Sequence, residues 1–518
     1  MKKANRPFLS KYRIFNYRDE LSKTTPFSYS PQPPDSFIKE FADYFENTVN
    51  WDSPGVLYNI HPNVNVYGQI ASFLAEFTNP NFAQDISSGK LMLIEKQIIE
   101  YFATLVNWEP RETGGIFTFG GKGTNLYGLK VALDKTFPNL REEGLCGKIK
   151  VISNDMGHPC HIEVCNWAGI GIKNCVRLKT KNCTLSIESF RKTFEDMIKN
   201  GEKLPLVILN GLSTLNHAVD DIQGIAKARD ELVAKYSLDY TPHIHVDSVL
   251  GWVYLLLSRY DFEKNPLNIK ANVLSIIKEK YLLMANIKYA DSFGVDFHKT
   301  GFCSYSSSLF ITKNKDALHN IERVYHEDNT LEFSKCSPYN YSLELSRSHR
   351  GPISAFATLK TLGVEGFVQL LGTFTECFLY MKETLNSQDH VKVLNYEENS
   401  NILFFIFKPF KEIEFKENMD PQLVEKIRTF NTEFYQFLIH KLELGKTNVF
   451  FSCSRSHKYL NQSFGSIKIY SYNAHFNLNE AKKVLGEIDD LFKEYTQGFE
   501  TVKNYNIFDF LDVKGISK

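Results

Sequence analysis

Two short segments of the chain carry residues whose chemistry fits together. The segment His245-Val-Asp247 places a carboxylate at the end of an apolar run, and Asp296-Phe-His-Lys299 places an amine further along the chain. An amine can form a Schiff base with an aldehyde, and a buried carboxylate can pair with a protonated pyridine nitrogen. Catalysis with pyridoxal 5'-phosphate (PLP) uses both groups. We therefore predict a PLP site in which Lys299 is the Schiff-base residue and Asp247 is the partner of the ring nitrogen.

A glycine-rich turn upstream is the predicted phosphate cradle. Gly120, Gly121 and Gly123 let the backbone approach an anion, and the helix that follows presents free N–H groups at its positive end. Lys122 would add a side-chain donor. The turn is not a Walker A motif, because Lys122 is followed by Gly123 rather than by Ser or Thr. A tight strand-to-helix turn without a ligand explains the same residues equally well, so both interpretations stay open at this point.

Histidines stand at two places where they could contact such a cofactor. His158 follows an apolar run, and its imidazole could stack on the pyridine ring, although a plain loop histidine is the alternative. His298, next to Lys299, could contact the phosphate or the substrate. His158, Cys160 and His161 do not have the spacing of a zinc motif. We therefore predict no metal site.

The hydropathy pattern predicts the scaffold that must position these residues. Apolar runs alternate with helical stretches; the runs are 148–153, 204–209, 243–247 and 308–312, and the helical stretches include 125–137 and 187–200. This alternation predicts an α/β domain with a mostly parallel sheet between helices. Ligands of such a sheet bind at the carboxyl ends of its strands. From about residue 370 the pattern changes and predicts a smaller α+β domain.

The composition argues against several classes of partner. The 518 residues include 60 basic and 60 acidic side chains, so no overall field favours nucleic acid or an anionic membrane. No apolar run is long enough for a membrane helix, and the basic N-terminus lacks the apolar core of a signal peptide. The nine cysteines are scattered without a Cys-x-x-Cys pair, which is typical of a reducing compartment. We expect a cytoplasmic protein that binds neither nucleic acid nor membrane.

In this order, the motifs resemble those of the group II PLP-dependent amino-acid decarboxylases. That family includes the glutamate, aromatic-amino-acid, cysteine-sulfinate and diaminobutyrate decarboxylases, and the resemblance runs from about residue 55 to 370. The family pattern Gly-x-Phe-Thr-Ser-Gly-Gly-Thr-x-x-Asn is similar to residues 115–125. His-Val-Asp-Ala-Ala is similar to residues 245–249, and the Asp-x-His-Lys motif matches residues 296–299. A Glu-x-Ser-Arg segment matches residues 344–347.

The resemblance implies a set of cofactor-binding residues, some at positions that differ from the family pattern. Phe119 stands where a small hydroxyl residue is usual, and Lys122-Gly123 replaces Thr-Glu. Leu212-Ser-Thr214 replaces Gly-Thr-Thr, and His217 stands where Gly is common. Residues 253–289 look like a charged helical insertion. The implied cofactor-binding residues are Lys299, Asp247, His158, Gly120, Gly121, Lys122, Gly123, Thr214, Val249 and His298.

The resemblance also implies the architecture, namely PLP fold type I, which is similar to aspartate aminotransferase. Residues 1–95 are expected to form an N-terminal arm and helical segment at a dimer interface. Residues 96–370 would be the large PLP-binding domain, and residues 371–518 the small C-terminal α+β domain. The Pro-rich segment 29–35 suits an arm that wraps a second subunit. We therefore expect a homodimer with shared active sites.

The implied activity is decarboxylation of an L-amino acid to its amine and CO₂, through an external aldimine and a quinonoid. Family members present a tyrosine on a loop to protonate Cα, and Tyr339 and Tyr341 are candidates for that role, with packing as the alternative. Arg347 and Arg350 are candidates for holding a substrate carboxylate. Other PLP lyases, a decarboxylating aldehyde synthase and a catalytically impaired binding protein stay open as alternatives.

Overall fold

The computed structural model describes residues 6–24, 26–181, 183–214, 216–322 and 334–498. The chain divides into two compact units. One comprises residues 62–372, and the other combines the N-terminal residues up to His61 with those from Thr373 onward. The N-terminal arm therefore groups with the C-terminal part of the chain. The division at residues 95 and 370 stays a prediction, because the interface role of its first segment needs a second subunit.

The α-helices follow one another along the chain as α1 (Tyr17–Lys23), α2 (Pro34–Asp43), α3 (Val66–Glu76), α4 (Asp85–Ser88), α5 (Met92–Leu105), α6 (Gly121–Thr136), α7 (Leu140–Glu143), α8 (Cys160–Trp167), α9 (Ile187–Lys199), α10 (Ile222–Tyr236), α11 (Ala271–Met284), α12 (Phe297–Thr300), α13 (Asp316–His319), α14 (Arg350–Asn386), α15 (Pro421–Glu443) and α16 (Leu478–Thr496). Helix α14 is interrupted at Gly363, whose φ of 59° is left-handed. Short 3₁₀ turns include Gly251–Arg259 and Ala285–Tyr289, which flank α11 in the predicted insertion.

The strands are β1 (Val56–Leu57), β2 (Gly114–Thr118), β3 (Ile149–Asn154), β4 (Cys175–Leu178), β5 (Thr180–Lys181), β6 (Thr184–Leu185), β7 (Lys203–Asn210), β8 (His243–Asp247), β9 (Ser292–Asp296), β10 (Ser308–Thr312), β11 (Val391–Val393), β12 (Ile402–Phe407), β13 (Phe450–Tyr459) and β14 (Gln462–Tyr470). The strands predicted at 148–153, 204–209, 243–247 and 308–312 are all present, with ends that differ by at most one residue.

The larger unit is built around a sheet with the strand order β2-β10-β9-β8-β7-β3-β4. Strand β10 is antiparallel to β2 and β9, and the neighbouring pairs from β9 to β4 are parallel. Strands with helices on both faces need apolar side chains on both faces. Residues 204–209 of β7 are accordingly all buried and do not alternate between buried and exposed positions. The prediction of an α/β fold with a mostly parallel sheet is confirmed.

This topology gathers the candidate residues at one edge of the sheet. Strands β2, β3, β8 and β9 share a direction, so the residues that follow Thr118, Asn154, Asp247 and Asp296 meet at the same end. The first residue of β10, Ser308, pairs with Asp296 at that end because β10 runs the opposite way. The carboxyl ends of the strands therefore form one rim, where ligands of such sheets bind.

Helix α6 packs on strands β7 to β10 and brings its N-terminus to this rim. Its close approach needs Gly128, because a Cβ there would lie 2.9 Å from ring atoms of His245 on β8. Most of the helix is buried, including Leu129, Val131 and Leu133. The start of α6 is thereby fixed beside the last residue of β8.

The smaller unit contains a sheet with the order β1-β13-β14-β12-β11. Strands β1 and β13 are parallel, and the other neighbours are antiparallel. Strand β12 is buried throughout, and its side chains join those of α15 and α16 in one apolar core. The predicted α+β domain at the C-terminus has this form. Within the parts of the chain that the structure describes, no helix is both long and apolar enough to cross a membrane.

Candidate active site

Asp247, at the end of β8, is the centre of the rim. Its side chain is 6% exposed, and its Oδ2 accepts hydrogen bonds from His161 Nε2 at 2.9 Å and from Asn125 Nδ2 at 3.1 Å. The other oxygen, Oδ1, is buried and has no hydrogen-bond partner among the described residues. A buried carboxylate oxygen without a donor is costly unless a ligand supplies one. The carboxylate is thus held on one side and open on the other.

The histidine that donates to Asp247, His161, is not among the predicted cofactor-binding residues. His161 is fully buried in the first turn of α8, and its Nδ1 lies 2.7 Å from Ser153 Oγ. Because the carboxylate only accepts, His161 Nε2 donates the hydrogen bond to Asp247. Burial alone would raise the pKa of Asp247, but the His161 hydrogen bond and the nearby Lys299 charge outweigh it and lower this pKa. Asp247 is therefore ionised at neutral pH.

Lys299 lies in α12, directly after β9. Its Nζ is 2.9 Å from Asp296 Oδ2, and its side chain is partly exposed. Burial alone would lower the pKa of this amine, but the carboxylates of Asp296 and Asp247 outweigh it and raise the pKa. The structure therefore brings the predicted amine and the predicted carboxylate into one site, and it adds Asp296 as a second carboxylate.

The glycine-rich turn opens the start of α6 toward these groups. Gly120 has a φ of 126°, which favours glycine. A Cβ at Gly121 would lie 2.7 Å from Asp296 Oδ2 and 3.1 Å from Val249 Cγ1. The absent side chain thus leaves the first N–H groups of α6 close to Val249. Lys122 forms an ion pair with Glu163 of α8, so its predicted contact with a phosphate competes with a partner in the protein.

Two histidines border the site. His158 is exposed in the loop after β3, and its Nδ1 accepts from the N–H of Cys160 at 3.1 Å. Its imidazole is close enough to Asp247 and Lys299 for their charges to act on it. His298 is buried, with Nε2 3.6 Å from Asp296 Oδ2. His158 and His298 therefore border the group formed by Asp247, Lys299 and Asp296, and their cofactor contacts stay predictions.

The hydroxyl-rich segment after Lys299 forms hydrogen bonds with residues of the site. Ser308 Oγ donates to Asp296 Oδ1 at 2.5 Å, and Ser307 Oγ donates to the carbonyl of Gly351 at 2.9 Å. The Ser307 N–H lies 3.2 Å from His298 Nδ1 and donates to it. These serines fix Asp296 and His298, which is a role that their sequence positions do not reveal.

The turn after β7 contains Thr214, a predicted cofactor-binding residue. Thr214 is half-buried, and the structure does not describe the following residue, Leu215. His217 has a φ of 54°, a left-handed conformation that explains why glycine is common at this place in the family. The cofactor contact of Thr214 stays a prediction.

The two candidate tyrosines occupy different surroundings. Tyr341 packs against an apolar cluster that includes Ile116 and Tyr127, and burial raises the pKa of its hydroxyl. The backbone N–H of Tyr339 donates to the carbonyl of Ala83 at 2.9 Å. The structure gives neither hydroxyl a contact with Lys299 or Asp247 among the described residues. Their role as proton donors stays a prediction, and residues 323–333, which precede them, lie outside the described chain.

Arg347 has a structural role in place of its predicted contact with a substrate. Its guanidinium is buried and donates to Glu95 Oε1 at 2.5 Å and Oε2 at 3.0 Å. It also donates to the carbonyls of Phe82 and Phe117. These partners use the donors of both terminal nitrogens, and Nε is buried, so the guanidinium has no exposed pair of donors for a substrate carboxylate. Arg350 is exposed and forms an ion pair with Glu76 at 2.7 Å, and its predicted substrate contact stays a prediction.

The residues present fit PLP. The buried Oδ1 of Asp247 lacks the donor that a protonated ring nitrogen would supply. The open space beside Gly120, at the start of α6, suits an anion because this helix end is positive. Lys299 supplies the amine that binds the cofactor aldehyde.

Comparison with known proteins agrees with this chemistry. Residues 21–408 match the model of the pyridoxal-dependent decarboxylase conserved domain. The chain is 23% identical over 396 residues to the acidic amino acid decarboxylase GADL1 of Homo sapiens, covering 74% of this chain and 70% of that one. It is 20% identical over 393 residues to the L-2,4-diaminobutyrate decarboxylase of Acinetobacter baumannii, covering 72% and 71%.

Solved structures share the fold. Mouse CSAD has a TM-score of 0.76 at 14% identity, covering 95% of each chain. The tryptophan decarboxylase of Catharanthus roseus has a TM-score of 0.72 at 16% identity, covering 95% of this chain and 94% of that one. The predicted PLP fold type I is therefore confirmed. With the family model matched over most of its length, the chain belongs to the pyridoxal-dependent decarboxylase family and is a PLP-dependent amino-acid decarboxylase.

Proposed function

We propose that the chain decarboxylates an L-amino acid at the rim described above. Lys299 is the covalent attachment of PLP, Asp247 the partner of its ring nitrogen, and His158 the residue stacked on its ring. The observation that carries these assignments is the Asp247 carboxylate, which two donors hold through Oδ2 while Oδ1 stays buried without a donor among the described residues. A carboxylate in this arrangement can accept one further hydrogen bond, at Oδ1.

Asp247 controls the charge of the site. Its lowered pKa keeps it ionised, so it favours a proton on the nitrogen that it faces. PLP, when bound, supplies a protonated ring that takes up the electron pair left behind as CO₂ departs. Asn125 and His161 keep the carboxylate in one orientation. The proton on the ring nitrogen is thus maintained by residues of α6, α8 and β8.

The start of α6 is the proposed phosphate cradle. Gly120, Gly121 and Gly123 are the proposed backbone contacts. Gly120 borders open space, whereas Gly121 and Gly123 let the start of α6 pack closely on Asp296 and Thr118, and this helix end is positive and has no side-chain cap. Lys122, Thr214 and His298 are additional proposed contacts, and Val249 would lie under the ring. An anchored phosphate would fix the position of the aldehyde relative to the Lys299 amine.

Tyr339 and Tyr341 are the proposed sources of the proton that replaces CO₂ on Cα. They lie together in the segment that links residue 334 to α14. Tyrosine is a suitable acid because its hydroxyl is neutral until it donates the proton. Separate Phe substitutions at the two positions distinguish them, since the one that supplies the proton should lose turnover and keep the cofactor absorbance.

A homodimer with shared active sites is the proposed assembly. Helix α2 has no buried residue although it carries Phe37, Ile38 and Phe41. Helix α3 and the residue that caps its end, Phe77, also expose apolar side chains; those of the helix are Val66, Tyr67, Ile70, Phe73 and Leu74. Exposed apolar surfaces of this kind favour contact with another protein. Sedimentation of the PLP-bound protein as a dimer would support the assembly, and a folded PLP-bound monomer would contradict it.

A reducing, cytoplasmic location is part of the same proposal. The cysteines at positions 160, 165, 175, 303 and 377 are buried free thiols. Free buried thiols are typical of proteins from reducing compartments. Localisation of the full-length protein by fractionation would test this expectation.

The central test combines a spectrum with product analysis. Purified wild-type protein should show visible absorbance from cofactor joined to Lys299, and Lys299→Ala should lose that absorbance. Asp316→Asn, an exposed change on α13, is the matched control and should retain it. A panel of acidic, basic and aromatic amino acids should yield an amine and CO₂ for at least one member. Aldehyde and ammonia in their place would identify an aldehyde synthase, and binding without turnover would identify an impaired protein.

A further inference from the structure

Asp296 is a second buried carboxylate in the site, and it has no role in the reaction as proposed above. Its side chain is 1% exposed, and its Oδ2 lies 2.9 Å from Lys299 Nζ. Its Oδ1 accepts a hydrogen bond from Ser308 Oγ at 2.5 Å. The carboxylate is therefore fixed on one side by β10 and faces the amine with the other.

Other charged and titratable groups also surround Lys299. Asp247 acts from β8, His158 from the loop after β3, and Tyr305 from the loop before β10. Only Asp296, among the described residues, places a carboxylate oxygen within 4.0 Å of the amine. Its effect on the amine is also the largest of those that raise the pKa of Lys299 against burial. Asp296 is thus the direct counter-ion.

We propose that Asp296 is a positioning residue, which receives the ammonium group of Lys299 each time a substrate amino acid displaces this lysine from the cofactor. The inference rests on the proposed attachment of PLP to Lys299. A lysine that alternates between a bound and a free form needs a partner for its free form. Otherwise a charged amine stands in a largely buried site without compensation.

The exchange balances without any further reactant. The substrate enters as an ammonium ion, and its nitrogen forms a C=N bond with the cofactor carbon as the C=N bond to Lys299 breaks. The three hydrogens of the substrate nitrogen pass to the Lys299 nitrogen, which becomes an ammonium ion. The positive charge therefore moves from the substrate to Lys299, beside Asp296. The Asp296 carboxylate therefore favours the displaced form of Lys299 while the substrate is bound.

The test measures how readily an amine displaces Lys299. Full-length protein with bound PLP is equilibrated with increasing methylamine, which cannot be decarboxylated, and is then reduced with borohydride. Peptide mass spectrometry gives the fraction of cofactor fixed to Lys299, and hence the methylamine concentration of half displacement. The variants are Asp296→Asn, which removes the charge, and Ser308→Ala, which keeps the charge and removes its hydrogen bond. Asp316→Asn is the control.

An opposite charge at this distance shifts an ionisation by about 1 to 3 pH units. Asp296→Asn should therefore raise the half-displacement concentration about tenfold or more, and the control should match the wild type. Ser308→Ala should raise it less, about two- to tenfold, because it keeps the charge of Asp296 and removes only one hydrogen bond that fixes this carboxylate. If Asp296→Asn does not bind cofactor, Ser308→Ala alone decides the outcome.

Unchanged half-displacement concentrations in the variants would overturn the role of Asp296 while leaving the attachment intact. Lack of any label on Lys299 in wild-type protein without methylamine would refute the attachment itself, and the role of Asp296 with it. The two failures are therefore distinguishable in one data set.

Discussion

Substitution of His161 tests the proposed role of the Asp247 carboxylate without changing Asp247 itself. The change His161→Phe keeps a ring of similar shape and removes both of its hydrogen bonds. Asp247 Oδ2 loses the donor at 2.9 Å and retains only Asn125, and Ser153 Oγ loses its hydrogen bond with Nδ1 at 2.7 Å. The carboxylate that should hold the ring nitrogen is then less firmly ionised and oriented.

The size of the effect follows from the hydrogen bond to a buried charge. Such a bond contributes about 1.5–3 kcal/mol. At about 1.36 kcal/mol for each tenfold change, this corresponds to a weakening of PLP binding by about 10-fold to 150-fold. Ser153→Ala removes only the neutral bond behind His161, so we expect a smaller loss of about two- to tenfold.

The assay is a titration of cofactor-free, full-length protein with PLP, followed by the absorbance of the bound form. Thermal unfolding of each variant without PLP shows whether the fold persists. The expected order of affinities is wild type, then Ser153→Ala, then His161→Phe. An affinity of His161→Phe within a factor of two of the wild type would refute the argument that His161 maintains the Asp247 carboxylate.

Three further predictions follow from other contacts. Gly121→Ala should weaken PLP binding, because its Cβ would lie 2.7 Å from Asp296 Oδ2 and would displace this carboxylate or the start of α6; titration with PLP measures the loss, circular dichroism shows whether the fold persists, and normal binding would contradict it. Arg347→Met should lower the free energy of unfolding by about 3–5 kcal/mol in urea, since it leaves Glu95 buried and unpaired, and a loss under 1 kcal/mol would contradict it. The folded-state pKa of Asp247 lies below its ordinary 3.8, so Asp247 stabilises the fold above that pH and this contribution is lost as the pH falls. Asp247→Asn should therefore flatten the acid side of a stability–pH curve measured without PLP, and an unchanged slope would contradict the shift.

The sequence was sufficient to predict the scaffold and the two central residues. The alternation of apolar runs and helices predicted strands β3, β7, β8 and β10, and thereby the edge at which ligands bind. Asp247 was recognisable because it ends a predicted strand, and Lys299 because it lies in the Asp-x-His-Lys motif. Strand β9, which precedes Lys299 and brings it to the same rim, was not among the predicted strands.

The partners of those residues were not predictable from spacing. His161 contacts Asp247 across 86 positions of the chain, and Asn125 contacts it across 122, so only the folded sheet brings them together. The His158–His161 spacing did place a second histidine near the site, but it was considered only as a metal ligand. Arg347 shows the opposite error, because the sequence does not reveal that Glu95 already occupies its guanidinium.

The most direct test of the account is the identity of the lysine that carries the cofactor. Full-length protein with bound PLP is reduced with borohydride, digested and analysed by peptide mass spectrometry. We expect a pyridoxyl group on Lys299. A pyridoxyl group on another lysine, such as Lys122, or its absence from a protein that decarboxylates an amino acid, would contradict it.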